Sequence, residues 1–148
     1  MGKGVPSDHA GPLFRATIEV QAHAIKKNRR PIFRNQRTGI PFIGKSQRLR
    51  DAEDFLVQEL RHRAITLGIH EPIRARVRAL FLFGFPPNVY FTKQLKESKR
   101  LGDCTNLAEI VQDSLQKANI IENDSLLAPI TIDRVCTEKT QITIELYE

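Results

Sequence analysis

The chain has only two cysteines in 148 residues, Cys104 and Cys136, and they form neither a Cys-x-x-Cys pair nor any zinc spacing. They read as free thiols of a reducing compartment. The four histidines, His9, His23, His62 and His70, form no ligand-spaced pair, which argues against a structural zinc. No apolar run approaches the roughly 18 residues that span a bilayer. The start, Met1-Gly2-Lys3-Gly4-Val5-Pro6, lacks the apolar stretch of a secretory signal, and Pro6 stands where N-myristoylation wants Ser or Thr. The expectation is a soluble intracellular protein with no membrane partner. Acid is missing too: between Val20 and Asp51 there is no Asp or Glu.

What is present is basic and uneven. The net charge of +6 divides into +12 over residues 1–101 and −6 over residues 102–148. Such polarity suggests one part that binds a polyanion and another with different work. Hydrophobic content of 41% is ordinary for a globular fold. The length suits one domain, taken as 13–148, behind a frayed terminus over residues 1–12.

From Leu13 to Val20 apolar and polar residues alternate, as in a half-buried strand. Gln21 to Lys45 is a long segment punctuated by Pro31, Gly39, Pro41 and Gly44. Ser46 to Leu67 is expected to be a helix, N-capped by Ser46 and stopped by Gly68, with Leu49, Ala52, Phe55, Leu56, Leu60 and Ala64 as its core stripe. Ile73 to Phe83 alternates with Arg74, Arg76 and Arg78 on one face, a second strand. Gly84 to Gly102 is expected as loop. Asn106 to Ala118 forms a second helix that buries Leu107, Ile110, Val111, Ser114, Leu115 and Ala118. Ile130 to Cys136 and Gln141 to Tyr147 read as an antiparallel hairpin. The order β-α-β-α-β-β implies an α+β fold of two layers, a mixed sheet with two main helices on one face.

The acid-free stretch carries Lys26, Lys27, Arg29, Arg30, Arg34, Arg37, Lys45, Arg48 and Arg50, interleaved with Asn28, Phe33, Gln36 and Thr38. A charge run is often no more than a solvated face, but this density favours a segment that tracks phosphates. Lys99 and Arg100 lie just before the acidic region, and Arg74, Arg76 and Arg78 are candidates to extend the same surface.

The acids gather where the base runs out. Asp103 precedes the second helix, Asn106, Glu109 and Asp113 form a polar stripe along it, and Asp124 follows it by a six-residue turn. A helix start favours a carboxylate at Asp103. Taken alone the stripe is an exposed helix side. Brought together, these carboxylates would repel one another unless a cation joined them, and Mg²⁺, with Mn²⁺ as alternative, takes oxygen ligands and a substrate phosphate.

The pattern Gly102-Asp103-x-x-Asn106-Leu107 with Asp113, Leu115, Ala118, Ile120 and Asp124, together with the basic Lys26-Lys27-Asn28-Arg29-Arg30-Pro31, resembles the RusA family of Holliday-junction resolvases, over roughly residues 13–147. The resemblance implies a homodimeric, Mg²⁺-dependent endonuclease that nicks four-way DNA junctions, cytoplasmic and of bacterial, phage or prophage origin. It carries metal-binding roles onto Asp103 and Asp124. The family's middle Asp falls on Thr105, and its usual Lys falls on Glu109. If Thr105 joins the first helical turn, Glu109 lies one turn away and can supply the missing carboxylate.

The expected active site is therefore Asp103, Asp124 and Glu109, with Asp113 as a further ligand and Asn106 and Thr105 in support. Lys26, Lys27, Arg29, Arg30, Arg34, Arg37, Lys45, Lys99 and Arg100 are the expected DNA contacts. Two nicks of like polarity suit a two-fold dimer, for which Leu80, Leu82, Phe83, Phe85, Val89, Tyr90 and Phe91 are candidate apolar surface; the alternative is that they pack in the core or cover a sheet edge, the reading preferred for Phe83. Two alternatives stay open: a weakened or inactive junction-binding protein, and a basic RNA-binding domain, although no RRM, KH or OB signature is present.

Overall fold

Alternation builds the first strand, β1 (Phe14–Glu19): Phe14, Ala16 and Ile18 are buried while Arg15, Thr17 and Glu19 face outward. The computed structural model describes residues 11–20, 32–34, 41–43, 47–91 and 105–148. The expected frayed terminus and the Ser46 cap lie largely or wholly outside them. Within the long basic segment, β2 (Ile32–Arg34) and β3 (Pro41–Ile43) pair antiparallel as a separate two-stranded sheet, where only an irregular connection was expected.

Helix α1 (Gln47–Thr66) follows, then β4 (Val77–Phe85), a short helical turn α2 (Pro87–Tyr90), helix α3 (Thr105–Lys117), β5 (Leu127–Cys136) and β6 (Gln141–Tyr147). Gly68 ends α1 as anticipated, at φ +75°. The main sheet has the order β1-β6-β4-β5. β6 runs antiparallel to both β1 and β4, and β5 runs parallel to β4. Parallel neighbours need a crossover, which the segment containing α3 supplies. The sheet is mixed and the fold is α+β, as expected.

The expected terminal hairpin does not form. β5 and β6 do not pair with each other, because β4 lies between them. Their short connection passes over the end of β4, where the Thr137 N–H donates to the Phe85 carbonyl at 2.8 Å. β4 is suited to that central place, being apolar on both sides. Val77, Ala79, Phe81, Phe83 and Phe85 are buried on one face, while Leu80 and Leu82 are half-buried on the other. It also begins later than the alternation suggested. Ile73 makes only an isolated parallel bridge to Ile121, and Gly84 and Phe85 belong to the strand rather than to a loop.

One cross-sheet row, Ala16–Ile144–Phe81–Ile132, marks the face that packs against α1 and α3. From α1 it receives Leu56, Val57, Leu60 and Ala64, and from α3 Leu107, Ala108, Ile110, Val111 and Leu115. Phe55, expected in the α1 stripe, is instead 44% exposed, and Glu53 takes a core-facing place at 2% exposure. Phe83 and Phe85 lie in this core and are not available as dimer surface.

Candidate active site

Thr105 is the first residue of α3, so it does join the opening helical turn. Glu109, Asp113 and Gln116 then follow at spacings that keep them on one side of the helix. Glu109 is exposed and Asp113 half-buried, while Leu107, Val111 and Leu115 fix the opposite side in the core. The amphipathic pattern thus decides which way the carboxylates point.

The helix stops at Asn119, whose φ of 63° is a left-handed cap that asparagine adopts more readily than most residues. The Ile120 N–H bonds to the Leu115 carbonyl, the Ile73 N–H donates to the Ile120 carbonyl, and the Glu122 N–H donates to the Ile73 carbonyl. The chain is thereby brought back to a 3₁₀ turn, Asp124–Leu126, absent from the expected elements. Asn123 caps that turn, its Oδ1 accepting from the Ser125 N–H at 2.8 Å. Asp124, half-buried, donates its own N–H to Gln116 Oε1 at 3.0 Å.

The structure therefore places Asp124 beside the last turn of α3. Along the helix axis Asp113 lies about 4.5 Å before Gln116, and Glu109 about 10 Å before it. Asp113 is thus the helix carboxylate nearer in level to Asp124, with Glu109 about one turn further toward the N-terminus. Asp103, Lys99 and Arg100 lie outside the described residues, as do Lys26, Lys27, Arg29, Arg30, Arg37 and Lys45. Arg34 falls in β2. Among the described residues no group of three His, Cys, Asp or Glu is gathered closely enough to hold a metal ion. The donors suit a hard cation in kind, since they are carboxylates, but the described ones do not complete a site by themselves.

Three residues not singled out from the sequence, Lys117, Glu53 and Arg61, shape this region. Lys117 donates from Nζ to Glu53 Oε1 at 2.5 Å, which ties α3 to α1. The hydrogen bond to Glu53 raises the Lys117 pKa above its ordinary value against the opposing pull of desolvation, and the charges of Glu53, Asp113 and Asp54 add to the rise. Arg61 donates to the Lys117 carbonyl at 3.0 Å, closing the same helix–helix contact. An acid three residues before Leu56 and four before Val57 was the available sign that α1 buries a charge.

The arginine trio does not form a single face. Arg74 is paired with Glu71 and Glu122, each at 3.7 Å, and Arg76 donates to the Ala128 carbonyl at 3.0 Å. Arg78 alone lies on β4, its guanidinium 5.4 Å from the centre of the Tyr147 ring. The Tyr147 hydroxyl donates to Glu145, which raises its pKa, and Arg15 pairs with the same carboxylate at 3.4 Å.

A sequence model of the family described as Endodeoxyribonuclease RusA matches residues 23–147. The chain belongs to that family. The match spans the basic segment, α3, the Asp124 turn and β6. Among curated proteins no match is found. No helix among the described residues is long and apolar enough to cross a membrane.

Proposed function

We propose that this RusA-family chain is a Mg²⁺-dependent endodeoxyribonuclease that resolves Holliday junctions by paired symmetric nicks, as a homodimer, in DNA recombination and repair. The family match over residues 23–147 carries this reading. Asp103 and Asp124 would hold the ion, with Glu109 and Asp113 as further carboxylates, and Mn²⁺ is the alternative metal. When bound, the ion would offset charge building on the scissile phosphate and activate the attacking water. In-line attack by water expels the 3′ oxygen and leaves a 5′ phosphate and a 3′ hydroxyl.

The chain's own groups divide the remaining work. The basic segment from Lys26 to Lys45, with Lys99 and Arg100, holds the phosphate backbone and orients the junction without reading bases. Thr105 and Asn106 support the carboxylates at the start of α3. A dimer places two such sites on the two-fold-related strands of a junction. Leu80 and Leu82, half-buried on the sheet face away from the helices, are among the apolar groups open to a partner.

A second reading rests on one residue: Thr105 carries no charge where the RusA resemblance implies an acid. On that reading the chain binds junctions and cuts them weakly or not at all. A synthetic four-way junction and a linear duplex, each incubated with protein and Mg²⁺ or EDTA, separate the two. Paired Mg²⁺-dependent nicks confined to the junction are expected. Tight junction binding without nicks would favour the second reading, and preference for RNA would sink both.

A further inference from the structure

We propose that Gln116 is a positioning residue for Asp124, setting where that carboxylate stands relative to α3. The inference rests on the reading of Asp124 as a metal ligand and adds the group that aims it. A backbone N–H can only donate, so the 3.0 Å contact requires the Gln116 side-chain oxygen to face Asp124. Asn123 takes the next amide, that of Ser125, at 2.8 Å. The N–H groups on both sides of the Asp124 Cα are therefore held by side chains, and the Leu126 N–H bonds to the Asn123 carbonyl at 3.1 Å. With its backbone pinned, the Asp124 carboxylate has only its own side-chain torsions left to adjust.

The anchor also has a particular origin. Gln116 projects from the side of α3 that bears Glu109 and Asp113, while Leu115 beside it is fully buried. The helix that carries the other carboxylates thus dictates the placement of the turn that carries Asp124. A bond serving the turn's stability alone would predict a loss of stability without any specific change in metal use. A positioning bond predicts that metal use changes while DNA binding does not.

The experiment compares wild type, Gln116→Met, which keeps the length without the acceptor, and Gln116→Glu, which restores an acceptor. Amide hydrogen exchange by NMR reports the Asp124 N–H directly, and faster exchange is expected in Gln116→Met only. The Mg²⁺ concentration for half-maximal nicking of a four-way junction should rise about tenfold in Gln116→Met, as for other groups that orient metal ligands. Junction affinity in EDTA should stay at the wild-type value, and Gln116→Glu should return the Mg²⁺ requirement toward wild type. An unchanged requirement in Gln116→Met, or a loss that Gln116→Glu shares, overturns the proposal. Should the wild-type protein leave junctions uncut, calorimetric titration with Mn²⁺ decides. Weaker binding in Gln116→Met with recovery in Gln116→Glu keeps the positioning role and removes only the nuclease reading. Equal binding in all three, or none in wild type, overturns the positioning role.

Discussion

The Lys117 ammonium meets the Glu53 carboxylate at 2.5 Å, joining the last turn of α3 to the core-facing side of α1. Glu53 is 2% exposed, so its charge calls for partners inside the protein, and Lys117 is one of them. Removing one member of a fully buried pair costs about 3–5 kcal/mol. Lys117 is 58% exposed, so water moderates the loss, and Lys117→Met is expected to cost about 1–2 kcal/mol. The raised lysine pKa gives a second signature. The folded state holds this proton more tightly than the unfolded state, so the contribution is complete below the ordinary value of 10.5 and fades as pH rises through the folded value. Thermal melting should show a stability decrement above pH 10.5 in wild type that is smaller in Lys117→Met.

Gly84 tests the strand order. A Cβ there would stand 2.5 Å from Thr137 Oγ1, 2.7 Å from Thr137 Cγ2 and 2.9 Å from Gln141 Cγ. Thr137 cannot simply swing away, because its hydroxyl donates to the Lys139 carbonyl at 2.6 Å and its N–H holds Phe85. Gly84→Ala is expected to destabilise by about 1–3 kcal/mol. Adding Thr137→Ala should recover part of that loss, since the two sites share one contact. Urea unfolding of the two single variants and the double variant measures the coupling, and purely additive losses would place the β5–β6 connection elsewhere.

This crossing explains why part of the fold was legible and part was not. The alternation of Phe14, Ala16 and Ile18 and the stripe from Leu107 to Ala118 are local periodicities, and each was visible in the sequence. Strand order is not local. The three residues Glu138–Thr140 fit a hairpin as readily as a step across β4, and only the two-sided apolar character of β4 hinted at its central place. The carboxylates of the second helix and Asp124 could be picked out as candidates by residue type alone. Gln116 was not, because a glutamine on a polar stripe looks like solvent until the Asn119 cap turns the chain back onto it. Glu53 was missed because its periodicity places an acid where Phe55 looked the better core residue.

Ser114 offers a change in the stabilising direction. It faces the core from α3 at 0% exposure, and its Oγ has no hydrogen-bond partner among the described residues. A buried hydroxyl left unsatisfied costs about 1–3 kcal/mol, and alanine is the better helix former. Ser114→Ala should therefore raise stability by about 1 kcal/mol once the lost packing of one oxygen is counted. Nicking should be unaffected, because Ser114 lies on the side of the helix away from Glu109. A lower melting temperature in this variant would mean that the hydroxyl is satisfied in solution.

The basic segment has a salt signature. Each phosphate neutralised on duplex DNA adds about 0.9 to the slope of log affinity against log salt. Replacing Lys26, Lys27, Arg29 and Arg30 together by Ala is expected to flatten the slope by about 3–4 units if all four touch phosphates. Fluorescence anisotropy of a labelled junction between about 50 and 200 mM salt gives the value. An unchanged slope would move the DNA to another surface, with Arg78 and Arg15 on the open sheet face the next residues to replace.

The departure from the family at the start of α3 gives the sharpest functional test. Thr105 opens the helix and Glu109 follows four residues later, which makes them neighbours on one side. If Glu109 supplies the carboxylate that Thr105 does not, Glu109→Gln should lose nicking nearly as fully as Asp103→Asn or Asp124→Asn. Removing a group that works directly on the metal or the scissile phosphate typically costs about 10²-fold or more in rate. The double change Thr105→Asp with Glu109→Lys creates the arrangement that the RusA resemblance implies, with an acid at 105 and an ammonium at 109 across one helical turn. It should recover nicking that Glu109→Gln and Glu109→Lys each lack. Glu109 stands about 10 Å along the helix from Gln116, whereas Asp113 lies closer to the level of Asp124. A near-silent Glu109→Gln beside an inactive Asp113→Asn would therefore transfer the role to Asp113 and leave Glu109 as an exposed helix residue. Rates of junction nicking at saturating Mg²⁺, with junction affinity in EDTA as the control, distinguish the two assignments.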